Sequence, residues 1–559
     1  LQNYLYYSRL PEYKQPYGAV EEGTKIKISI RIRRTEALGA ALRVSSSDDR
    51  ECVFPMKWTD LDREYDVFSA EFIADMRGTL QYCFDLRLRL GSVTLGRDET
   101  DPDGSAIVGG VPWTITVTPT NVKTPDISDG VIYQIFVDRF RRGKFHEQDG
   151  FFEPKLWGEA PVLVREGDGI IYCRDIYGGD LRGVEDALGH IASLGVTTIY
   201  LSPIFSAWSN HKYNTADYEQ IDPCFGDEED FKHLIARAKE FGIRIILDGV
   251  FSHTGADSKY FDKTGRYGNH GAYSDPNSPY RSWYRFCDNP PGYECWWGVP
   301  TLPCVEELDP NYLDYIIRGE NSIIARWTRL GIGGWRLDVA DELPDEFIRL
   351  LRERVREINP DAVVIGEVWE DASTKVAYDV KRRYFADAEL DGTMNYPLRD
   401  AIFAFLRGKS TGREAAAALN TILENYPCSA WNCLMNLIGT HDTRRLRTEL
   451  GEKFSRFAAA LQYAFPGAPS LFYGDEVGME GADDPDNRRC FPWSENGTPQ
   501  GDARALRFWR KLGRLKRKGA FSGECRITGD ENTLTIRRDG AEVSVDRNGT
   551  CFIREYMEI

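Results

Sequence analysis

No stretch of this 559-residue chain is apolar for the length a membrane span requires. The opening segment, LQNYLYYSRLPEYKQPYG, also lacks a basic end followed by an apolar run. A membrane is therefore not an expected partner. Basic stripes are missing too: the formal charge is −17, and arginine-rich stretches such as RLLRERVRE at 349–357 interleave with Glu like a solvated helix face. Tracking phosphates demands clustered cations, so nucleic acid is not an expected partner. No Cys-x-x-Cys pair occurs among the 12 cysteines, which are spread singly. A chain this long buries cores without disulfide staples, so free thiols and a cytoplasmic location are expected. An extracellular location would follow if the cysteines paired.

What is present is the composition of a folded protein: 42% apolar, 28% charged and 12% aromatic residues. The length implies two to four domains. Residues 1–120 hold short segments of period two, TKIKISIRIR, ECVFPMKW, GTLQYCFDLRLRL and WTITVT, separated by Gly, Asp and Pro. They are expected to form an N-terminal β-sandwich. After the breaker-rich PTNVKTPDISDG the pattern changes. Eight strands are expected at 131–137, 197–205, 243–251, 334–340, 362–369, 389–396, 433–440 and 470–478, with helical segments between them. One helix should carry Val184, Leu188 and Ile191 inward. A second should bury Phe231, Leu234, Ile235, Ala238 and Phe241, and a third Phe347, Leu351, Val355 and Ile358. The fold class expected is α/β: a (β/α)8 TIM barrel over 129–253 and 311–514. The turn-rich stretch 254–310 is expected as an inserted domain after the third strand, and 515–559 as a small C-terminal β domain.

Chemistry in such a barrel concentrates at the C-terminal strand ends. Here those ends carry Asp248 and His253, Arg336 and Asp338, Glu367, and His441 and Asp442. Cleavage of a glycosidic bond passes through a cationic, oxocarbenium-like state, and it needs an acid for the leaving oxygen and a carboxylate on the other face. Asp338 is the expected nucleophile, since Arg336, two residues away on the same strand face, should keep it ionised. Glu367 has no cation beside it in sequence and is the expected acid. Asp442 would be the third carboxylate, and His253 and His441 would bind hydroxyls. The aromatic content suits sugar faces, although many rings must be core.

Four motifs, LDGVFSH (247–253), GWRLDVADE (334–342), VIGEVWED (364–371) and LIGTHDT (437–443), resemble those of the α-amylase family of glycoside hydrolases. SPIFSAWSNHKYNTADYEQIDPCFG (202–226), YQIFVDRF (133–140) and YGGDLRG (177–183) are similar to its neopullulanase, cyclomaltodextrinase and maltogenic amylase group. The resemblance spans residues 131 to about 495, and more weakly the N-terminal segment. It implies a retaining hydrolase of α-1,4 bonds in cyclodextrins, maltooligosaccharides and pullulan, acting through Asp338, Glu367 and Asp442. It implies Tyr218 stacked on the sugar at the cleavage point, with Arg336, His253, His441, Asp248 and Trp369 around it. Asp484 and Arg488 in GADDPDNRR match a substrate-contacting loop, and Trp296 and Trp297 are candidate sugar platforms. A homodimer with the N-terminal domain across a partner's cleft is also implied. An α-glucosidase, an oligo-1,6-glucosidase or a glucosyl transferase of the same family are the alternatives. A barrel retained only for binding would be expected to lack one of the carboxylates.

Departures from the family pattern bear on metal and specificity. Ser252 stands where calcium-binding relatives carry Asn, and RRGKFHEQDG (141–150) places Arg142 and Lys144 where oxygen ligands would be needed. A hard cation wants several oxygens, so no metal and no other cofactor is expected, although Gly179 and Asp180 are kept. Asp341 replaces a frequent Asn and Glu370 a frequent His, beside two strand ends that carry the chemistry.

Overall fold

The computed structural model describes residues 3–556 apart from 35, 47–49, 145, 147–149 and 168. Two antiparallel-rich sheets occupy the N-terminal fifth. One contains Lys25–Arg33 paired with Tyr65–Ile73, and the other Gly78–Leu88 paired with Trp113–Thr118. Strand alternation in KIKISIRIR turns Ile26, Ile28, Ile30 and Ile32 inward. They meet Leu42, Val44, Tyr82, Phe84 and Trp113 of the facing sheet in a core separate from that of the rest of the chain.

The central sheet has eight parallel strands: β1 (Val131–Ile135), β2 (Val196–Leu201), β3 (Arg244–Gly249), β4 (Gly334–Leu337), β5 (Val363–Gly366), β6 (Gly392–Thr393), β7 (Met435–Leu437) and β8 (Ala468–Phe472). They pair in the order β6-β5-β4-β3-β2-β1-β8-β7. A parallel bridge between Met394 and Met435 joins the two ends, and the Asn395 amide donates to the Met435 carbonyl at 2.9 Å. Gly392 makes this closure possible, because a Cβ there would lie 2.1 Å from the Cys433 carbonyl oxygen. The result is the (β/α)8 barrel. Period two divides each strand: Ile132, Tyr200, Ile246, Val363, Ile365 and Met435 fill the interior, while Tyr133, Ile199, Leu247, Trp335, Leu337 and Val364 face the helices. The same parity carries Asp248, two residues past Ile246, and Glu367, two past Ile365, toward the axis.

The outer helices follow their apolar stripes. Glu228–Glu240 opens with a capping box made by Asp227 and Asp230 and buries Phe231, Leu234 and Ala238. Phe241, expected on that stripe, is instead 42% exposed, because it is the residue that ends the helix. Asp345–Ile358 buries Phe347, Ile348, Leu351 and Val355. The helix expected from LRGVEDALGHIASLG is two short ones, Leu181–Asp186 and Leu188–Ser193, broken at Ala187. Between β5 and β6 the described residues hold no helix; the connection carries a hairpin, Val376–Ala377 with Val380–Lys381. The stretch 254–310 is built from turns around buried Tyr260, Phe261, Trp283, Tyr284 and Tyr293, which join the barrel's own core. The four C-terminal strands, Arg526–Gly529 to Thr550–Glu555, also share that core through Ile527, Leu534, Ile536, Val543 and Val545. No helix among the described residues is long and apolar enough to cross a membrane.

Candidate active site

A cavity of about 760 Å3 opens over the C-terminal strand ends. Asp338, Glu367, Asp442, His253, His441, Trp297, Trp369, Asp484 and Arg488 all line it. Arg336 and Asp248, expected to contact a ligand, do not line the cavity. They lie beneath it, almost fully buried, because their positions on β4 and β3 are one layer deeper in the barrel.

Arg336 is the hub of this lower layer. Nη1 donates to Asp338 Oδ1 at 2.6 Å and to Asp248 Oδ1 at 2.8 Å, while Nη2 pairs with Glu367 Oε2 at 2.8 Å. Met394 Sδ lies 3.4 Å from Nε, which packs the guanidinium against the barrel interior. The expected division, in which Arg336 serves Asp338 alone, is therefore corrected: one guanidinium holds both carboxylates. The consequence expected for Asp338 is corrected as well. Burial pushes its carboxyl well above the usual aspartate range, with Glu367 and Asp248 adding to that, and Arg336 offsets only part of it. Glu367 also accepts from the Val339 amide at 2.8 Å and from Trp369 Nε1 at 3.1 Å. Val339 reaches that position with φ +37°, a left-handed conformation that costs a β-branched residue about 1–3 kcal/mol. The strain sits directly after Asp338 and aims the amide at Glu367.

Tyr218, expected to stack on a sugar, is fully buried and donates its hydroxyl to the Val250 carbonyl at 2.7 Å. It follows the inward face of the strand Thr215–Ile221 and packs on Phe251 and Tyr260. The ring on the cavity wall is Tyr213, just before that strand. It stacks on His441 at 5.4 Å with planes 8° apart, and its hydroxyl lies 2.9 Å from Asp248 Oδ2 and 2.6 Å from His441 Nε2. Of the two tyrosines in HKYNTADY one precedes the strand and one lies within it, and the sequence alone does not say which lies outside the core. His211, also missed, lines the cavity and stacks on Tyr213 at 5.9 Å.

Both expected histidines have their ring nitrogens engaged by protein. His253 contacts Ser252 Oγ at 3.1 Å and the Tyr213 carbonyl at 3.2 Å. His441 contacts Gln134 at 2.6 Å and lies 3.2 Å from Asp442 Oδ2. Burial lowers the His253 pKa to about 4, so the ring is neutral at pH 7. Arg488 spans Asp484 at 3.0 Å and Asp442 at 3.4 Å, so the GADDPDNRR loop is tied to the strand-end carboxylate. Trp369 stacks on Tyr396 at 3.9 Å, and Trp297, 76% exposed, stacks on Trp296 at 5.2 Å.

Among the described residues no group of three His, Cys, Asp or Glu is placed to hold a metal ion. Asp180 is used otherwise: it caps the helix at Gly183 N and accepts from the Lys144 amide at 2.7 Å. Of the loop 141–150, residues 145 and 147–149 lie outside the described residues.

A family model described as "Alpha amylase, catalytic domain" matches residues 134–508. A cyclomaltodextrinase of Geobacillus thermopakistaniensis (strain MAS1) is 35% identical over 78% of this chain and 71% of its own. An amylopullulanase of Thermoanaerobacter thermohydrosulfuricus is 32% identical over 96% of this chain, which spans only 40% of that protein's length. Among solved structures, a cyclomaltodextrinase aligns with TM-score 0.67 and 28% identity, covering 97% of this chain and 90% of its own. The cyclic α-maltosyl-(1→6)-maltose hydrolase of Arthrobacter globiformis aligns with TM-score 0.66 and 30% identity over 76% of this chain and 92% of its own. With the matched barrel, the ordered strand-end motifs and these relatives in agreement, the chain belongs to the α-amylase family of glycoside hydrolases.

Proposed function

We propose that the chain is a retaining, endo-acting α-glucan hydrolase. Its substrates are cyclomaltodextrins, maltooligosaccharides and pullulan, cleaved chiefly at α-1,4 bonds. One observation carries this: the buried Arg336 guanidinium joins Asp338 and Glu367 at the base of a cavity that Asp442 also lines. Similarity to proteins named cyclomaltodextrinase, neopullulanase and amylopullulanase supports the substrate class.

In this mechanism Glu367 gives its proton to the glycosidic oxygen as that oxygen's bond to C1 breaks. An Asp338 oxygen forms the new bond to C1 from the opposite face, and a covalent glycosyl-enzyme results. Water then attacks C1, passes a proton to Glu367 and releases Asp338. Asp248, Asp338 and Glu367 share one guanidinium, which fixes where the two reacting carboxylates stand. Asp442, held by Arg488, stabilises the cationic sugar. Tyr213, its hydroxyl fixed between Asp248 and His441, holds that histidine at the cavity wall.

The protein acts as a homodimer in this proposal. Support comes from exposed Val53, Trp58, Leu61 and Ile73 on the N-terminal sheets, an apolar set that a second copy would cover. Twelve free thiols support a cytoplasmic location. The deciding experiment follows β-cyclodextrin cleavage by NMR. The α-anomer should appear first, with maltose among the products. β-Anomer first would reject retention, and an intact cyclodextrin ring beside glucose release from maltotriose ends would favour an α-glucosidase.

A further inference from the structure

Two unusual residues of GWRLDVADE and VIGEVWED, Asp341 and Glu370, meet on one cation. Lys375 Nζ lies 2.9 Å from Asp341 Oδ2 and also pairs with Glu370 Oε2. All three line the same cavity as Asp338 and Glu367. We propose that Lys375, held between Asp341 and Glu370, is a specificity-determining residue that donates to a hydroxyl of the leaving sugar. This rests on the function proposed above and names its leaving-group side.

Placement supports the assignment. Glu367 Oε1 is bound by Trp369 Nε1, and Glu370 follows at once, so the cluster stands on the wall that carries the proton for the leaving oxygen. The sugar that departs must therefore pass along it. An ammonium has three donors, and the two carboxylates engage two of them, which leaves one N–H for a hydroxyl. The cluster is also preset. Asp341 Oδ1 accepts from Tyr384 OH at 2.6 Å, which fixes the deeper anchor. Arg382 Nη1 donates to the Asp341 carbonyl at 3.1 Å. The Lys375 side chain is only 12% exposed, so little rotamer freedom remains to be lost on binding. Glu370, at 64%, is the open flank.

The N-terminal sheets of the same chain brace this wall. Thr79 Oγ1 donates to the Ser373 carbonyl at 2.6 Å, and Arg383 Nη2 to the Arg77 carbonyl at 3.1 Å. The two contacts bracket the hairpin that follows Lys375. A hydrogen bond from a charged donor to a leaving-sugar hydroxyl is worth about tenfold or more in kcat/KM when it is made in the transition state.

The test compares maltotriose, whose leaving group is a sugar, with p-nitrophenyl α-maltoside, whose leaving group is a phenol. For K375M the ratio of kcat/KM on maltotriose to that on the aryl substrate should fall about tenfold. E370Q, which alters only the open flank, should shift the ratio the same way by less. Thermal melting of both variants checks that they are folded. An unchanged ratio in both, or parallel losses on the two substrates, would overturn the assignment. A wild-type protein that cleaves neither substrate would instead reject the proposed hydrolase, before any substitution is made.

Discussion

Replacing Arg336 by Met (R336M) keeps an unbranched stem and removes the guanidinium shared by Asp248, Asp338 and Glu367. An opposite charge within hydrogen-bonding distance lowers a carboxylate pKa by about 1–3 units. Asp338 is already raised by burial, so losing Arg336 raises it further. Its proton must leave before it can attack C1. The acid limb of the kcat/KM profile should therefore move up by about 1–3 pH units, with a loss of about tenfold to a thousandfold on that limb. Stability follows the same group. A carboxylate whose folded pKa lies above its unfolded value favours the fold fully below the unfolded pKa, near 4, and that contribution is lost as pH rises through the folded value. Removing one partner of a buried ion pair costs about 3–5 kcal/mol. The melting deficit of R336M should thus be larger at pH 8 than at pH 5. Initial rates on an aryl maltoside from pH 4 to 9, with calorimetric melts at both ends, measure this. An unmoved acid limb together with an equal deficit at pH 5 and pH 8 would refute the hub role of Arg336.

Tyr213 and Tyr218 should separate cleanly. Y213F loses the hydroxyl between Asp248 and His441 and should lower kcat by about tenfold or more, while Y218F should cost about 1 kcal/mol of stability and leave the rate on maltotriose within about twofold. The His253 pKa is lowered to about 4 by burial, so its contribution to stability is present above about pH 6.5 and is lost as pH falls toward 4, about 3 kcal/mol in all. H253Q should flatten the melting-temperature profile across that window; an unchanged slope would exclude the ring as its source. Chelation with EDTA should leave activity within about twofold, because Asp180 is committed to its helix cap. A large loss restored by calcium would place a metal site in the 141–150 loop.

Most of the barrel was legible in the sequence, because strand period two and helix period 3.6 are local signals that burial reinforces. The spacing of LDGVFSH, GWRLDVADE, VIGEVWED and LIGTHDT placed Asp338, Glu367 and Asp442 around one mouth, since parallel strands deliver their C-terminal ends to the same side. What only the tertiary structure decided depends on neighbours distant in sequence. Arg336 looked like a private partner of Asp338, yet Glu367 arrives from the next strand and shares it. Tyr213 precedes one short strand and Tyr218 lies within it, and packing against Phe251 and Tyr260 settled which ring enters the core. Barrel closure rests on Gly392 fitting against the Cys433 carbonyl, a contact between residues about forty apart. Asp341, Lys375 and Glu370 become one charge cluster only because the β5–β6 connection folds back over the cavity. Local chemistry chose the acids; the fold determined which cation, ring and amide each of them meets.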